Sequence, residues 1–365
     1  MKSNELYKLS KYTPPAWASK LTFKPEHRVR LAMLPTPMSK WNVPMKPPKL
    51  NLFVKRDDMT GNATSGNKIR KLEFLLADAL AKNCRNVVTC GGIQSNHCRA
   101  TAAASRELGL NSYLFLRADD PTRDDVSGNM LVNLMCGSKV FFVPKTMRYE
   151  GGIEERMTRL ARHLLDKKGE KSYCVPIGGS NLVGSYGYME AWREMMDDET
   201  FDVITDVVVS CGSGGSAAGL AIANHLTGSK KKIHAVSVSD DKKYFHKHIN
   251  DTLLGLGLND VTSEDIVDVI DGYKGSGYGA TTPEDLRDIK LVSSSTGVFC
   301  DPVYTWKGVK GLLGEFESNR ARFKGENVLF VHTGGLLSLY DGKMKELLQE
   351  SFDGQAFNDL GDFVD

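Results

Sequence analysis

The sequence predicts an α/β fold in which parallel sheets are covered by helices on both faces. From about residue 51 onwards, short runs rich in β-branched residues alternate with helix-length amphipathic stretches. This alternation is typical of right-handed βαβ units, in which crossover helices join parallel strands. A chain of 365 residues, 41% of them hydrophobic, is long enough for about two domains with separate cores. We therefore expect two doubly wound α/β domains.

Eight segments are predicted as strands from their length and β-branched content. They are Asn51–Lys55, Asn86–Thr89, Ser112–Leu116, Lys139–Val143, Ser172–Val175, Asp206–Ser210, Lys232–Val238 and Asn327–His332. Six amphipathic segments between them are predicted as helices. They are Lys68–Lys82, Ser95–Leu108, Gly152–Lys168, Leu182–Met196, Ser216–Leu226 and Thr305–Phe316. Ligands of such sheets bind beyond the carboxyl ends of the strands, so a site is expected at the strand-to-helix turns.

The composition argues against several classes of protein. A formal net charge of +2 gives no electrostatic footprint for nucleic acid or for an anionic membrane surface. The longest apolar runs, such as that in Asp206–Ser210, are far shorter than the roughly 20 residues that span a bilayer. Seven scattered cysteines without C-x-x-C spacing favour a reducing compartment and give no sign of a metal site. The N-terminal stretch resembles neither a signal peptide nor a transit peptide, so we expect a cytoplasmic location.

The first turn that could carry chemistry places a lysine at the start of a helix. The segment Lys55–Glu73 runs from a strand through a loop rich in Gly and Asn to Lys68. The positive end of a helix dipole lowers the pKa of a lysine, and an amine must be neutral to attack a carbonyl. The P-loop spacing G-x-x-x-x-G-K-[ST] is absent. Lys68 is thus a candidate nucleophile, although this turn taken alone is better explained by Lys68 and Lys71 as surface lysines of a helix.

The second turn, Cys90–Arg99, places a row of polar side chains at a helix N-terminus. Gln94, Ser95, Asn96 and His97 follow one another there. Ser95 and Asn96 have the types and positions of helix N-cap residues, which would account for them fully. The same row would also suit a substrate carboxylate, and the two roles can coexist.

The third turn, Val209–Gly219, is rich in glycine and serine. Its backbone N–H groups could converge on a phosphate, with Ser213 and Ser216 adding hydroxyl donors. The segment also fits the dinucleotide fingerprint G-x-G-x-x-A, with Asp240 after the next strand. That fingerprint is weak by itself and usually opens the first βα unit of a fold. We predict a phosphate site here, for which a dinucleotide is not required.

The fourth turn combines two segments near the C-terminus, Asp301–Lys307 and Phe330–Gly335. Tyr304 opens a helix after a proline turn, and Thr333 follows a buried strand. Taken singly, each would be explained as a core tyrosine or as a threonine that ends a strand. Their value comes from their combination with the other three turns.

Taken together, the turns resemble the D-cysteine desulfhydrase and 1-aminocyclopropane-1-carboxylate (ACC) deaminase family of pyridoxal-phosphate (PLP) enzymes. The resemblance rests on the order GNK, GGIQSN, GSGG-S, DPVYT and HTGG, and it runs from about Leu34 to Leu337. It also accounts for Pro176–Asn181 and Gly277–Gly279. It implies the tryptophan-synthase-β-like fold, fold type II, with a small domain of residues 66–180 inserted in a large domain of residues 1–65 and 181–365. PLP would bind in the cleft between them, and the protein would be a homodimer.

The resemblance implies which residues hold the cofactor. Lys68 would bind PLP covalently, and Lys71, one turn further on, would help to hold the phosphate. Asn96 would contact the cofactor's O3′ atom, and Thr333 would face the pyridine nitrogen. The phosphate cradle would consist of Gly212, Ser213, Gly214, Gly215 and Ser216.

It also implies the substrate side of the site. Gln94, Ser95 and Asn96 would bind the substrate carboxylate, and Tyr278 and Tyr304 would line the substrate pocket. Lys68, Ser95 and Tyr304 are the implied catalytic residues, with the base that abstracts the Cα proton left open. The substrate would be a small amino acid.

Two threonines bear on the reaction. A neutral hydroxyl at the pyridine nitrogen cannot hold that nitrogen protonated as a carboxylate would, which favours β-elimination. Within the family, ACC ring opening is associated with a glutamate and a leucine at the positions that hold Thr305 and Thr333 here. We therefore expect a lyase that converts D-cysteine to pyruvate, ammonia and hydrogen sulfide. ACC, D-serine, β-chloroalanine and cysteate remain alternative substrates. Trp306 stands where the family usually has glycine, and a bulky indole beside the active site could reshape the pocket toward another substrate.

Two other classes of protein compete with this interpretation. A nicotinamide oxidoreductase built on Gly212–Ala217 and Asp240 would leave Lys68 and Thr333 without a role. A PLP-binding carrier or regulator without turnover would leave the combination of Lys68, Ser95 and Tyr304 unexplained.

Overall fold

The computed structural model of the chain describes residues 7–122 and 125–353. The strands are β1 (Leu9–Lys11), β2 (His27–Val29), β3 (Met38–Lys40), β4 (Asn51–Lys55), β5 (Asn86–Gly92), β6 (Asn111–Arg117), β7 (Lys139–Val143), β8 (Ser172–Cys174), β9 (Asp206–Cys211), β10 (Lys232–Ser237), β11 (Asp268–Ile270) and β12 (Asn327–Val331). The helices are α1 (Asn67–Ala81), α2 (Asn96–Glu107), α3 (Gly128–Met135), α4 (Glu154–Lys168), α5 (Leu182–Met196), α6 (Gly215–Thr227), α7 (Lys242–Gly255), α8 (Ser263–Ile266), α9 (Pro283–Thr296), α10 (Thr305–Ser318) and α11 (Lys343–Asp353).

The larger sheet has six strands in the order β11-β10-β9-β12-β4-β3. Its neighbouring strands are parallel except at one edge, where β3 runs antiparallel to β4. In the middle of the sheet, Val208 of β9 pairs with His234 of β10 and with Phe330 of β12. The loops that follow β4, β9 and β12 therefore leave the sheet at the same edge.

The smaller sheet has four parallel strands in the order β7-β6-β5-β8. Strands β1 and β2 form a separate antiparallel pair. All four strands of the smaller sheet come from residues 86–174, within the segment 66–180 that was assigned to the small domain. Helix α1 packs against both α5 and α2, and so it touches elements of both predicted domains. The boundaries at residues 65/66 and 180/181 remain a prediction.

Both faces of the larger sheet are buried, because successive residues of its central strands enter different cores. Val207 and Val209 of β9 belong to a core shared with residues of α5, α6 and α7. Val208, between them, belongs to a second core, which includes residues of α9 and α10. Burying one such aliphatic side chain contributes roughly 1.5–3 kcal/mol, so a continuous apolar strand is stable only when covered on both sides.

The predicted α/β class with parallel sheets is confirmed, and the eight predicted strands and six predicted helices are all present. Their ends agree with the prediction to within two residues, except that β5 extends from Thr89 to Gly92. The structure adds elements that were not predicted, namely β1, β2, β3, β11, α3, α7, α8, α9 and α11. In the described ranges, every helix is too short or too polar to cross a membrane.

Candidate active site

The loops that follow β4, β9 and β12, together with the start of α2, line a cavity. The residues that line it are Asn67, Lys68, Asn96, Ser210, Cys211, Gly212, Ser213, Gly214, Ser216, Ala217, Tyr304, Thr333 and Gly334. Five sequence segments that are far apart in the chain thus meet at one cavity, and four of them follow strands, as the sequence predicted.

Lys68 reaches the cavity because the loop after β12 packs against the start of α1. The backbone N–H of Asn67 donates to the carbonyl oxygen of Thr333 over 3.0 Å. Gly66 has a φ of 100°, and a Cβ there would lie 2.8 Å from the same carbonyl oxygen, so only glycine fits this approach. The close contact fixes the first turn of α1 and thereby the direction of Lys68.

The cavity changes the acid–base properties of Lys68. Burial lowers the pKa of its amine to about 8, because the charged form loses solvation there. A lysine with that pKa is neutral in about a tenth of the molecules at pH 7, compared with less than one in a thousand for a solvated lysine. Lys68 can therefore act as a nucleophile or as a base near neutral pH.

The N-terminus of α6 forms a cradle for an anion beside Lys68. Gly214 has a φ of 84°, and the helix begins at Gly215, whose N–H donates to Ser180 Oγ over 2.8 Å. The hydroxyls of Ser180 and Ser213 are 3.0 Å apart, and Asn67 Nδ2 donates to Ser216 Oγ over 3.0 Å. Backbone N–H groups and hydroxyls at a helix N-terminus are the groups that bind phosphate in many proteins.

Lys71 brings a second amine to the same cradle. A Cβ at Gly215 would lie 3.0 Å from Lys71 Nζ, and Nζ donates to the carbonyl oxygen of Gly178 over 3.2 Å. Burial lowers the pKa of Lys71 well below its usual value, and the nearby charge of Lys68 lowers it further. An anion in the cradle would offset both effects, since it would favour the charged form of the amine.

The GGIQSN segment contributes one side chain to the cavity lining, that of Asn96. Asn96 Oδ1 accepts a hydrogen bond from Asn129 Nδ2 over 2.9 Å. Ser95 is the N-cap of α2, and its hydroxyl accepts from the N–H of Cys98 over 3.2 Å. Gln94 points to the start of α3, where its Oε1 accepts from the N–H of Asn129 and its Nε2 donates to the carbonyl oxygen of Ser127. The structure thus gives Ser95 the capping role and gives Gln94 a structural role.

Two tyrosines meet at the mouth of the cavity. Tyr304 lines the cavity, and its ring packs on Gly212, where a Cβ would lie 2.8 Å from the ring. Tyr278 comes from the loop between β11 and α9, and its hydroxyl shares a short hydrogen bond with that of Tyr304. Burial raises the pKa of Tyr304 well above its usual value, and Tyr278 raises it further. The Tyr304 hydroxyl therefore keeps its proton at neutral pH.

The two residues after Tyr304 point away from the cavity. Thr305 is fully buried, and its hydroxyl donates to Asp301 Oδ1 over 2.8 Å. Trp306 is 2% exposed and packs in the core behind the sheet, where its Nε1 donates to Asp285 Oδ1 over 3.1 Å. The indole therefore does not line the cavity, because the helical turn carries it to the opposite side of α10 from Tyr304.

Three supporting residues were not assigned a role from the sequence. Ser180 joins the phosphate cradle through Gly215, and Asn129 orients Asn96. Asp301 accepts hydrogen bonds from the N–H groups of Val303, Tyr304 and Thr305, and so it shapes the turn that presents Tyr304. Ser180 and Asp301 lie inside motifs that the sequence did reveal. Asn129 had only one weak signal, since it is one of two asparagines in a largely apolar helix.

The chain was compared with known proteins. Residues 29–334 match a family model described as pyridoxal-phosphate dependent enzyme. The chain is 46% identical over 340 residues to an Arabidopsis thaliana protein named bifunctional D-cysteine desulfhydrase/1-aminocyclopropane-1-carboxylate deaminase, mitochondrial, covering 90% of this chain and 83% of that protein. A crystal structure of an ACC deaminase homologue matches with a TM-score of 0.77 and 30% identity, over 92% of this chain and 99% of the other. O-ureido-L-serine synthase matches with a TM-score of 0.60 and 16% identity, over 90% and 95% of the two chains, which shows a shared fold alone.

Proposed function

The chain belongs to the family of pyridoxal-phosphate dependent enzymes, as its four turns predicted, and we propose that it is a lyase acting on small D-amino acids, with D-cysteine as substrate. Its fold is fold type II and its cofactor is PLP. One observation carries the proposal: the amine of Lys68, the anion cradle of α6 and the hydroxyl-bearing Thr333 all line the same cavity. The name of the Arabidopsis relative supports the choice of substrate.

The residues of the cavity fit PLP. The cradle at residues 212–216, with Lys71 beside it, would hold the phosphate, and a Cβ at residue 215 would collide with Ser180 Oγ and close that space. Lys68 would bind the aldehyde carbon, Asn96 would contact O3′, and Thr333 would face the pyridine nitrogen. When bound, PLP supplies an electron sink for the charge that develops on the substrate's Cα.

The chain's own residues would handle the protons. The Lys68 amine, with a pKa of about 8, can take up a proton from Cα near neutral pH. The Tyr304 hydroxyl, which keeps its proton, can give it to the departing sulfur. The substrate carboxylate would lie near Asn96 and the start of α2, where helix N–H groups favour an anion. Overall, D-cysteine and water would yield pyruvate, ammonia and hydrogen sulfide.

Thr333 supports elimination rather than transamination. Its side chain is 8% exposed and lines the cavity. A hydroxyl group carries no charge, so it cannot stabilise a protonated pyridine nitrogen as a carboxylate would. Less negative charge would then be stored in the ring, which favours prompt loss of the β-substituent.

ACC deaminase is the second candidate function. It is supported by the name of the Arabidopsis relative, which includes both activities, and by the 30% identical ACC deaminase homologue. D-serine, β-chloroalanine and cysteate could enter by the same chemistry, since each carries a leaving group on Cβ.

The test is to measure pyruvate and sulfide release from D-cysteine by the purified protein, with ACC in parallel. We expect sulfide and pyruvate from D-cysteine and little product from ACC. Lys68→Ala should abolish both turnover and the near-visible absorption of lysine-bound PLP, whereas Lys82→Ala, on the exposed end of the same helix, should change neither. Turnover by Lys68→Ala would contradict the proposal. Product from ACC alone would favour the second candidate.

The assembly and location of the protein are also proposals. We propose a homodimer, as the family resemblance implies, and sedimentation equilibrium would test it. We propose a cytoplasmic location, supported by the seven cysteines, all of which lie in the described ranges as free thiols. The name of the Arabidopsis relative includes mitochondria, so cell fractionation would decide between the two compartments.

A further inference from the structure

The loop that carries Tyr278 packs on the core through Tyr273, whose hydroxyl donates to Glu315 Oε1 over 3.1 Å, but the backbone around Tyr278 has little packing of its own. It connects Ile270 at the end of β11 to Pro283 at the start of α9. A Cβ built at Gly272, Gly275, Gly277 or Gly279 meets no atom within 4 Å, so this backbone borders open space. Tyr278 itself is 52% exposed. The position of its hydroxyl must therefore be set by contacts elsewhere in the loop.

One buried ammonium group binds the loop immediately before Tyr278. Lys307 Nζ donates to the carbonyl oxygen of Lys274 over 2.6 Å and to that of Gly277 over 3.2 Å. Lys307 is 3% exposed. Buried lysines are rare unless they form an ion pair with a carboxylate. Among the described residues, the hydrogen bonds of Lys307 Nζ go to these two carbonyl oxygens and not to a carboxylate. Its role is thus not explained by an ion pair.

Helix α10, which carries Lys307, also fixes the far end of the loop. Asp285, in the first turn of α9, forms a capping box with Thr282. Its Oδ1 accepts from Trp306 Nε1 over 3.1 Å and from Lys310 Nζ over 2.9 Å. The first two turns of α10 therefore hold the loop at two places, and that helix begins directly after Tyr304.

We propose that Lys307 is a positioning residue that places the Tyr278 hydroxyl against that of Tyr304. Lys307 follows Tyr304 by three residues, so one helical turn carries both the catalytic tyrosine and the group that positions its partner. The inference rests on the proposed function, because it gives Lys307 a part in the reaction of that site. Trp306, which does not line the cavity, holds the far end of the same loop through its hydrogen bond to Asp285.

A double-mutant cycle tests the coupling of Lys307 to Tyr278. Lys307→Met and Tyr278→Phe should each lower kcat on D-cysteine by roughly tenfold to a hundredfold, as small misplacements of reacting groups do. If Lys307 acts through Tyr278, the double variant should be no slower than Tyr278→Phe, and Lys307→Arg should recover part of the rate. PLP content should stay unchanged. Additive losses, or full activity of Lys307→Met, would overturn the proposal.

A second measurement does not depend on turnover. Hydrogen exchange of the amides of residues 272–280 should accelerate in Lys307→Met, while the amides of β9 stay protected. The control is Lys247→Met, which changes an exposed lysine on α7 and should leave exchange in both segments unaltered. Lys307→Gln replaces Lys307→Met if the latter does not fold, since it keeps an N–H donor of shorter reach. Unchanged exchange in the loop would overturn the proposal. Absence of turnover in the unmodified protein would instead count against the proposed function, and hydrogen exchange would still decide the role of Lys307.

Discussion

The chemistry of Lys68 is set by its surroundings. Burial lowers the pKa of its amine to about 8, whereas in an unfolded chain the pKa would be near 10.5. Only the neutral amine can attack the aldehyde of PLP, so the reactive fraction rises as pH rises toward 8.

We expect the pH dependence of cofactor uptake to report this pKa. The rate at which cofactor-free protein binds PLP covalently should rise about tenfold between pH 6 and pH 7 and level off above about pH 8. Absorbance of the lysine-bound cofactor measures the rate, and free N-acetyl-lysine in the same buffers is the control. A midpoint near 10.5 would mean that the cavity does not shift the pKa of Lys68.

Thr305 illustrates how a residue adjacent to the site can belong to the core. The family resemblance associates a glutamate at this position with ACC ring opening. In this structure the side chain is fully buried and bonded to Asp301, whose own pKa burial raises. A glutamate at this position would bring a second carboxylate close to Asp301.

We expect Thr305→Glu to destabilise the fold without creating activity on ACC. The loss should be about 3–5 kcal/mol, the usual cost of an uncompensated buried charge. Thr305→Val, which removes only the hydroxyl, should lose about 1–3 kcal/mol. Urea unfolding measures both losses. A stable Thr305→Glu variant that opens ACC would show that this turn rearranges to expose residue 305.

At the scale of elements, the N-terminus of α6 combines two properties in a few residues. Its free N–H groups attract an anion, and its glycines allow Ser180 and Lys71 to approach closely. The opposite end of the same helix offers a matched comparison. Gly228 ends α6 with a φ of 65°, and a Cβ there would meet no atom within 4 Å.

We expect Gly215→Ala and Gly228→Ala to separate cofactor binding from helix stability. Gly215→Ala should weaken PLP binding by tenfold or more, on the order of 1.4 kcal/mol, because its methyl group would displace Ser180. Gly228→Ala should lose about 1 kcal/mol of folding stability from the left-handed backbone and keep its affinity for PLP. Titration of the cofactor-free proteins with PLP measures the difference. Equal affinities of the two variants for PLP would argue against a phosphate at the N-terminus of α6.

Helix α9 carries sequence signals that mark its start, whereas the shortest strands carry none. Its start carries proline at the first position and a Thr282–Asp285 capping box, signals that would have located it. Strands β1, β2, β3 and β11 have three residues each, too few for a periodic pattern. They form because neighbouring strands offer hydrogen-bond partners, which is information from distant parts of the chain.

At the scale of the whole molecule, a buried ionic network ties α1 and α5 to the larger sheet. Glu194 of α5 accepts from Lys55 of β4 over 2.6 Å and from Arg70 of α1 over 2.8 Å. Burial opposes ionisation of Glu194, but the hydrogen bond and charge of Arg70, followed by those of Lys55, lower its pKa to about 2. The network thus connects Lys55 and Arg70, which lie before and after Lys68 in the sequence.

We expect this network to make stability depend on pH in the acid range. Since the pKa of Glu194 is depressed in the folded state, its contribution is present above about pH 4.5 and is lost as pH falls toward 2. The difference in the free energy of unfolding between the unmodified protein and Glu194→Gln should therefore decrease by roughly 3 kcal/mol as pH falls from about 4.5 to about 2. Urea unfolding from pH 7 to pH 2 measures it, with Asp251→Asn in an exposed pair as the control. An advantage that does not vary with pH would contradict this account.

The sequence by itself determined the α/β class, the principal strands and helices, and the turns that meet at the cavity. These features depend on local patterns, namely hydrophobic periodicity and glycine-rich turns after strands, and the parallel larger sheet brings the turns after β4, β9 and β12 to one edge. The tertiary structure alone decided which side chains within those turns face the cavity. Gln94, Thr305 and Trp306 lie next to Asn96 or Tyr304 in sequence but point elsewhere. Ser180 and Asn129, from distant parts of the chain, bond directly to residues of the site, and Lys307 bonds to the loop of Tyr278. The direction of a side chain depends on the helical turn it occupies and on the packing around it, and both are set by contacts between residues far apart in the chain.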